Sequence, residues 1–334
     1  DVMRLQDENR ILVKKGLAHL PDTASVGLRC LIEKNNLDIS HISAYHIGFV
    51  IGPCLNAGGR LQTAKLALRL LLSEEPEEAD RLAQELKDLN DQRKDMTARG
   101  VEEAARQVEE WYRDDKVLTI FLPDCHESLA GIIAGRLRER YHKPSFVLTR
   151  AEDGAKGSGR SIESYHMYQA LTEVKGTADQ IRRPSHGGGA FPAGIAGGRV
   201  PSRALNEKAK LTEEDFVPKI WIDAAMPFEY ITEPLIRELE QLEPFGQGNE
   251  KPQFAQKGLR IRSARVLGKN RNAVKLSLLS PGGMPMDAMV FADGDAFMEE
   301  MGQSRQMDAI YYPGIHEYNG SRSLQVVIRE WRFS

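Results

Sequence analysis

The hydrophobic positions of residues 73–114 follow the period of an α-helix. Apolar side chains recur mostly three or four positions apart along an otherwise charged segment. These positions are Leu82, Leu86, Leu89, Met96, Val101, Ala104, Val108 and Trp111. Ser73 is placed to cap the helix start, and Pro76 falls in the first turn, where its missing N–H costs little. At about 1.5 Å per residue such a helix extends on the order of 60 Å, so we predict that it connects two domains.

Helical patterns also precede this segment. The stretches ENRILVKKGLAHL, DTASVGLRCLIEKNNL and TAKLALRLLLS have apolar residues at helical spacing. Asp22 or Thr23 is placed to cap the second of them. We interpret residues 1–51 as the end of an α/β unit.

Between these helices lies the glycine-rich sequence GPCLNAGGRL, residues 52–61. Its glycines, proline and asparagine predict a loop. Two interpretations stay open: a plain turn between domains, or a substrate-facing loop that presents Asn56 and Arg60.

A strand, a helix and a second strand follow the long helix. They are KVLTIFLP at 116–123, SLAGIIAGRLRERY at 128–141 and PSFVLTR at 144–150. This order predicts a βαβ unit. Because ligands of open α/β sheets bind beyond the carboxyl ends of the strands, three loops of small residues become candidates: PDCHES, DGAKGSGRS and SHGGGAFPAGIAGG.

The GSGRS sequence at 157–161 has the composition of an anion site. Gly157 and Gly159 allow close approach of the backbone, while Ser158 and Arg160 supply a hydroxyl and a bidentate cation. An ordinary surface loop is the alternative, because short Gly/Ser strings are common.

The other two loops carry weaker signals. His126 stands where a strand ends and a helix begins, which suits binding of a phosphate or a metal-bound oxygen. Alternatively, Glu127 and Ser128 only cap that helix. The last loop contains Gly187 and Gly188, which suit close backbone approach to a ligand, with a flexible turn as the alternative.

From about residue 216 the pattern changes to short strand-like runs separated by Gly, Pro and Asn. Five or six such runs predict a small β-barrel. No internal repeat or low-complexity tract interrupts the chain.

The net charge of −3 conceals a strong asymmetry. Residues 71–115 hold 15 acidic and 7 basic residues, a balance of −8, whereas residues 251–286 hold eight basic and no acidic residues. The basic residues are Lys251, Lys257, Arg260, Arg262, Arg265, Lys269, Arg271 and Lys275. With Tyr311, Tyr312 and Tyr318 nearby in the predicted barrel, this pattern favours single-strand binding by charge and stacking. The alternative is a solvated strand face with tyrosines in the core.

Composition and cysteine spacing indicate the cellular compartment to expect. The apolar fraction is 41%, no apolar run approaches the roughly 20 residues that span a bilayer, and no secretory leader is evident. The three cysteines, Cys30, Cys54 and Cys125, lie far apart, which favours a reducing cytoplasm and argues against a zinc site. Because Asp1 rather than Met begins the sequence, we expect that the start of a longer gene product is missing.

Taken in order, several segments resemble the RecJ family of the DHH/DHHA1 phosphoesterase superfamily. They are DENRILVKKGL, GPCLNAGGRL, CHESLAGIIAGRLRERY, GSGRSIESYHMY, LEPFGQGNEKPQF and EYNGSRSLQVVI. The resemblance implies an α/β DHH remnant and an α/β DHHA1 domain joined by a long helix, followed by an all-β OB-fold barrel. The implied boundaries are 1–72 for the DHH remnant, 73–114 for the helix, 115–212 for DHHA1 and 213–334 for the OB fold.

The resemblance also implies a function: 5′ to 3′ degradation of single-stranded DNA with Mn²⁺ or Mg²⁺, in DNA repair and recombination. It makes Ser158 and Arg160 the clamp for the 5′ phosphate and places Asn56, Arg60 and His126 in the active cleft. The barrel, with Lys257, Arg260, Arg262, Arg265, Lys269 and Arg271, would guide the strand. Implied partners are single-stranded DNA, a single-strand-binding protein or helicase, and the missing DHH half, with no membrane.

Two departures qualify the resemblance. The family's metal-binding Asp and His motifs precede the segment that resembles residues 1–20, so we expect no metal ligands, no Asp-x-Asp and no Asp-His-His here. In addition, Gly187, Gly188 and Gly189 stand where the family has Gly-Gly-His, and His186 is displaced.

Two other functions remain as alternatives. One is a non-catalytic module that binds single-stranded nucleic acid through the barrel. The other is a related phosphoesterase for oligoribonucleotides or cyclic dinucleotides, against which residues 216–334 argue, since such relatives usually lack the barrel.

Overall fold

The computed structural model describes residues 3–61, 63–151, 154–174, 202–318 and 320–334. They form two compact units, one of His19–Lys219 and one that combines the chain up to Ala18 with Ile220–Ser334. The helices are α1 (Asp7–His19), α2 (Val26–Lys34), α3 (Ala44–His46), α4 (Gly52–Leu61), α5 (Lys65–Leu72), α6 (Pro76–Gln107), α7 (Ala130–Tyr141), α8 (Met167–Val174), α9 (Ser202–Lys208), α10 (Glu233–Glu240) and α11 (Gly294–Met301). The strands are β1 (Leu118–Phe121), β2 (Ser145–Ala151), β3 (Gly154–Arg160), β4 (Ala224–Ala225), β5 (Phe254–Leu267), β6 (Ala273–Leu279), β7 (Pro285–Val290), β8 (Gln306–Tyr318) and β9 (Ser321–Phe333).

The predicted long helix is confirmed as α6, with 32 residues, and continues as a π-helical turn over Val108–Tyr112. Its start differs from the prediction, because Glu75 is the N-cap and Ser73 instead ends α5. The predicted cap of α2 is also wrong. Ser25 fills that position, accepting the Leu28 N–H at 3.3 Å, because its hydroxyl is three residues before that donor.

The first part of the His19–Lys219 unit is a packed set of helices. The apolar face of α6 closes a core shared with α2, α4 and α5. Its buried members include Leu31, Ile32, Cys54, Ala57, Leu70, Leu82 and Leu86. This core fixes α4 against the long helix.

The sequence GPCLNAGGRL is helix α4, so the prediction of a loop is wrong. A π-helical turn over Ile47–Ile51 leads into it, and the Gly52 N–H donates to Ile47 C=O. The widened turn admits Pro53, which lacks an N–H for a normal helical bond. A Cβ on Gly58 would lie 3.2 Å from Leu86 Cδ2, so this glycine allows close helix packing rather than a turn.

The predicted βαβ unit is confirmed. Strand β1 pairs in parallel with β2, and α7 forms the crossover. One face of β2 packs through Val147 against α7 and α6, while Phe146 and Leu148 on the other face contact α8 and α9 in a separate core. The sheet is completed by β3, antiparallel to β2.

The GSGR sequence lies within strand β3, so it is not the loop that its composition predicts. Gly157 and Gly159 pair with Leu148 and Phe146. A Cβ on Gly159 would lie 2.7 Å from the Phe146 ring. The glycines therefore leave room for two large neighbours, and the chain forms a strand because this cross-strand packing outweighs the low strand propensity of glycine.

Substitution Gly157→Ala is expected to destabilise the protein by about 1–3 kcal/mol, because its Cβ would lie 2.5 Å from the backbone oxygen of Val147. Chemical denaturation measures this as a lower transition midpoint. The control is Lys156→Ala on the same strand, where only an exposed ion pair is lost, at a cost of about 0–1 kcal/mol. Equal stability of the two variants would contradict the packing role.

The predicted barrel is confirmed in the second unit. Strands β5, β6, β7, β9 and β8 pair in that order, and β8 pairs back to β5 to close the ring. The KIWIDAAM stretch contributes only the two-residue β4, beside β5. Helix α11 connects β7 to β8 and packs Phe297 into the barrel core.

Tyr311 and Tyr312 do not form an exposed stacking surface. Tyr311 is fully buried and donates to Met226 C=O, and Tyr312 is 7% exposed. Burial raises the pKa of Tyr312 to about 12. Both belong to the core, as the alternative interpretation proposed, and the side chain of Tyr318 lies outside the described atoms.

Among the helices that the structure describes, none combines the length and apolar character needed to cross a bilayer.

Candidate nucleic-acid interface

Helix α4 presents two of the predicted site residues on one side. Asn56 and Arg60 are four positions apart and both exposed, so they share a helix face. Arg60 Nη1 donates to the carbonyl oxygen of Ser128 at 2.9 Å. This bond joins α4 to the turn before α7, where His126 lies.

His126 caps that turn. Its Nδ1 accepts the Ser128 N–H at 3.3 Å and lies 2.7 Å from Ser128 Oγ. With Nδ1 accepting, the ring proton of a neutral imidazole is on Nε2, which makes that nitrogen a donor. The sequence had offered Glu127 and Ser128 as caps, but His126 performs this role itself.

Strand β3 places Ser158 and Arg160 side by side on the face that meets α7. Arg160 Nη1 donates to Gly159 C=O at 2.9 Å and to Ser158 Oγ at 3.3 Å. A Cβ on Gly131 of α7 would lie 2.9 Å from Ser158 Oγ and 3.1 Å from Arg160 Nη2. The missing side chain at position 131 is therefore what makes room for this pair.

Four arginines concentrate positive charge around these groups. Partial desolvation lowers the pKa of Arg160, and the charges of Arg138 and Arg60 lower it further. Burial and the charge of Arg60 likewise lower the pKa of Arg93. The lowered pKa values of Arg160 and Arg93 mean that neighbouring cations repel these two guanidinium groups, and a bound anion would relieve that repulsion.

Among the described residues, carboxylates offset only part of this charge. None of the ion pairs found among the described residues includes Arg60 or Arg93. Arg138 contacts Glu139 at 3.5 Å, while its buried Nε has no hydrogen-bond acceptor within the described part of the chain. At the edge, Lys156 pairs with Glu127 at 3.1 Å. The arrangement suits a phosphate better than a cation.

The described residues do not fit a metal centre. They contain no group of three or more His, Cys, Asp or Glu side chains that could hold an ion. The expectation that the chain has no Asp-x-Asp is wrong, since Asp293-Gly294-Asp295 has that form. It is structural, because Asp293 caps α11 through the N–H groups of Asp295 and Ala296, and Asp295 pairs with Arg271.

The barrel carries a second basic surface. All six predicted basic residues, Lys257, Arg260, Arg262, Arg265, Lys269 and Arg271, are exposed. Arg265 on β5 lies directly opposite Lys275 on β6. Like charges in register destabilise a strand pair unless an anion or a carboxylate lies between them.

Nearby carboxylates neutralise part of this surface. Lys275 pairs with Asp287 at 2.8 Å, and Arg271 contacts Asp295 with two nitrogens, one at 2.8 Å. Residues 251–286 contain no acidic residue, but in the folded structure β7 and α11 place carboxylates beside two of their cations. Arg260, Arg262 and Arg265 form no ion pair with the residues described, and they are the stronger candidates for an anionic strand.

One predicted element stays untested by the geometry. Gly187 and Gly188, with the rest of the SHGGGAFPAGIAGG sequence, lie outside the described residues.

The sequence pattern did not single out two arginines of the cluster. Arg138 follows Gly131 by seven positions on α7, and Arg93 lies on the apolar stripe of α6. The sequence signal for Arg93 was its position as a charged residue on the otherwise apolar stripe of α6.

Two family models match the chain. Residues 114–215 match the DHHA1 domain and residues 222–330 match the RecJ OB domain. The OB-fold and DHHA1 predictions are thereby confirmed.

Curated relatives cover nearly the whole chain. The single-stranded-DNA-specific exonuclease RecJ of Bacillus subtilis (strain 168) is 32% identical over 338 residues, which is 99% of this chain and 42% of that protein. The RecJ of Escherichia coli (strain K12) is 31% identical over 348 residues, 98% of this chain and 58% of that protein. The chain thus spans about half the length of the curated relatives it matches.

Solved structures agree. The crystal structure of RecJ in complex with Mg²⁺ from Thermus thermophilus superposes with a TM-score of 0.82 at 27% identity, covering 99% of this chain and 50% of that one. The same protein in complex with Mn²⁺ gives a TM-score of 0.80.

Proposed function

Because the chain belongs to the RecJ family, with its DHHA1 and OB domains, we propose that it is the substrate-binding part of a single-stranded-DNA exonuclease. The observation that carries this proposal is the Arg60–Ser128 bond at 2.9 Å. It holds Arg60 where its charge acts on Arg160 beside Ser158. A site of converging arginines and a hydroxyl suits the terminal phosphate of a strand.

The residues then have distinct roles. Ser158 and Arg160 bind the 5′ phosphate, Arg60 adds charge from α4, and Asn56 lies on the same helix face toward the strand. His126, with its Nε2 proton, donates to a phosphate oxygen. Binding by the 5′ end gives the 5′ to 3′ direction of degradation, in DNA repair and recombination.

Catalysis needs groups that the described residues do not supply. Divalent ions, Mn²⁺ or Mg²⁺, would provide the Lewis acid and the activated water. We propose that their ligands belong to a DHH half with which this chain works. The three cysteines are free, which fits a reducing cytoplasm, and a single-strand-binding protein or a helicase are the proposed further partners.

The barrel contributes affinity without sequence preference. Arg260, Arg262 and Arg265 are exposed along β5 and lack carboxylate partners among the described residues. A row of such cations follows the phosphates of an extended strand. The same feature supports the alternative of a module that only binds single strands.

Substituting Arg262 and Arg265 together by Gln is expected to weaken binding of a long oligothymidylate. Each lost phosphate contact should reduce the slope of log affinity against log salt by about 0.7. Fluorescence anisotropy over a range of salt measures both effects. The matched control is Arg271→Gln, which removes a cation already paired with Asp295 and should change little.

Two outcomes would contradict the proposal. If the unaltered chain does not bind single-stranded DNA, or binds it without salt dependence, the substrate-binding role falls. Robust release of nucleotides from 5′-labelled DNA with Mn²⁺ by this chain alone would contradict an external source of the metal ligands.

A further inference from the structure

Arg93 lies at the midpoint between two packing contacts of α6. Leu86, Arg93 and Gly100 are seven positions apart and therefore share one face, with a drift of only about 20° per step. Leu86 packs against Gly58 of α4, and Gly100 packs against Ile133 of α7. At a rise of about 1.5 Å per residue, Arg93 is roughly 10 Å along the axis from each contact.

The two elements that α6 contacts on either side of Arg93, α4 and α7, are also the elements that Arg60 connects. Arg60 extends from α4 to the Ser128 carbonyl, just before α7. Arg93 therefore faces the space between the same two elements from the third side. Its interaction with the charge of Arg60 agrees with that position.

The Arg93 side chain is held and half-buried rather than free in solvent. Its Nε donates to Asn90 Oδ1 at 3.1 Å, and Asn90 is 1% exposed. With Nε engaged, the two terminal nitrogens remain as donors, and none of the ion pairs in the described part of the chain uses them. A half-buried, oriented guanidinium beside a second arginine favours an anionic ligand.

We propose that Arg93 binds the first internal phosphate of the strand, the one after the 5′ phosphate held by Ser158 and Arg160, and that Asn90 orients it. The inference rests on the proposed function, because it takes the Ser158–Arg160 pair as the end of the strand. It adds a second phosphate subsite on the connecting helix.

The test compares two ligands that differ by one phosphate and one nucleoside. Arg93→Gln is expected to weaken binding of 5′-phosphorylated dithymidylate about 10-fold, as for loss of a hydrogen bond to a charged group. Binding of thymidine 5′-monophosphate should be unchanged, since that ligand has no internal phosphate. Arg160→Ala should weaken both. Calorimetry at low salt gives the affinities.

Arg99→Gln is the matched control, because Arg99 is exposed on the same helix and lies about 240° around it from Arg93. It should leave both affinities unchanged. If Arg93→Gln leaves dithymidylate binding intact, or weakens both ligands equally, the internal-phosphate subsite is overturned while the Arg160 result still supports the proposed function. If the unaltered chain binds neither ligand, the proposed function itself falls.

Asn90 is a positioning residue, which a double substitution tests. Asn90→Ala should lower dithymidylate affinity by less than Arg93→Gln does. In the Arg93→Gln background it should cause no further loss, because Asn90 acts through Arg93. Additive losses would overturn the positioning role, and circular dichroism checks that each variant is folded.

Discussion

Arg160→Ala is expected to abolish the preference for a 5′-phosphorylated strand over a 5′-hydroxyl strand. The guanidinium is partly desolvated and lies within the field of Arg138 and Arg60, so a phosphate bound there gains more than it would at an isolated exposed arginine. Loss of a charged hydrogen-bond partner of this kind costs about 1.5–3 kcal/mol, or roughly 10–100-fold in affinity. Competition between the two oligonucleotide ends measures the preference directly.

The control for this variant is Arg136→Ala. Arg136 is also an exposed arginine and lies on α7, but it is paired with Glu139 at 3.0 Å. It should leave the preference for 5′ phosphate unchanged. An equal loss of affinity for phosphorylated and hydroxyl ends in Arg160→Ala would assign Arg160 to general strand binding instead.

Several of the regular elements follow from the hydrophobic pattern alone. The stripe from Leu82 to Val108 marks α6 by its helical spacing, and the continuous apolar runs around Ile120 and Val147 mark β1 and β2, which are buried along most of their length. The barrel follows from the same logic, with short alternating runs and turn residues between them.

The glycine-rich segments were harder to predict because local propensity opposes their observed structure. Gly58 lies in a helix since Leu86 approaches it, and Gly157 lies in a strand since Leu148 covers it. Both partners lie on other helices or strands, so composition alone indicated loops in both places.

The site was predictable in part. Ser158, Arg160, Arg60 and His126 were candidates from the sequence, and the first three share the arginine-rich region of one unit. Charge balance was misjudged on the barrel, since Asp287 and Asp295 reach the basic strands from neighbouring elements. Ion pairs depend on which side chains are close in the folded structure, and counting charged residues along the chain does not show this.

Gly131→Ala is expected to weaken binding of a 5′-phosphorylated strand about 10-fold without removing any polar group. Its Cβ would lie 2.9 Å from Ser158 Oγ and 3.1 Å from Arg160 Nη2, so both side chains must shift away from their present positions. The free energy of unfolding should change little, because alanine gains up to about 1 kcal/mol of helix propensity over glycine, which offsets the crowding. Anisotropy and thermal denaturation on the same sample separate the two effects.

Gly135→Ala is the matched control, one helical turn further along α7. Its Cβ would lie 3.9 Å from Arg160 Cγ, an ordinary contact, so binding should be unchanged and stability equal or higher. If both variants bind the phosphorylated strand as the unaltered chain does, the phosphate does not depend on the present positions of Ser158 and Arg160. If only Gly131→Ala loses affinity while remaining folded, the geometry of this pair, and not merely its charge, determines recognition of the 5′ end.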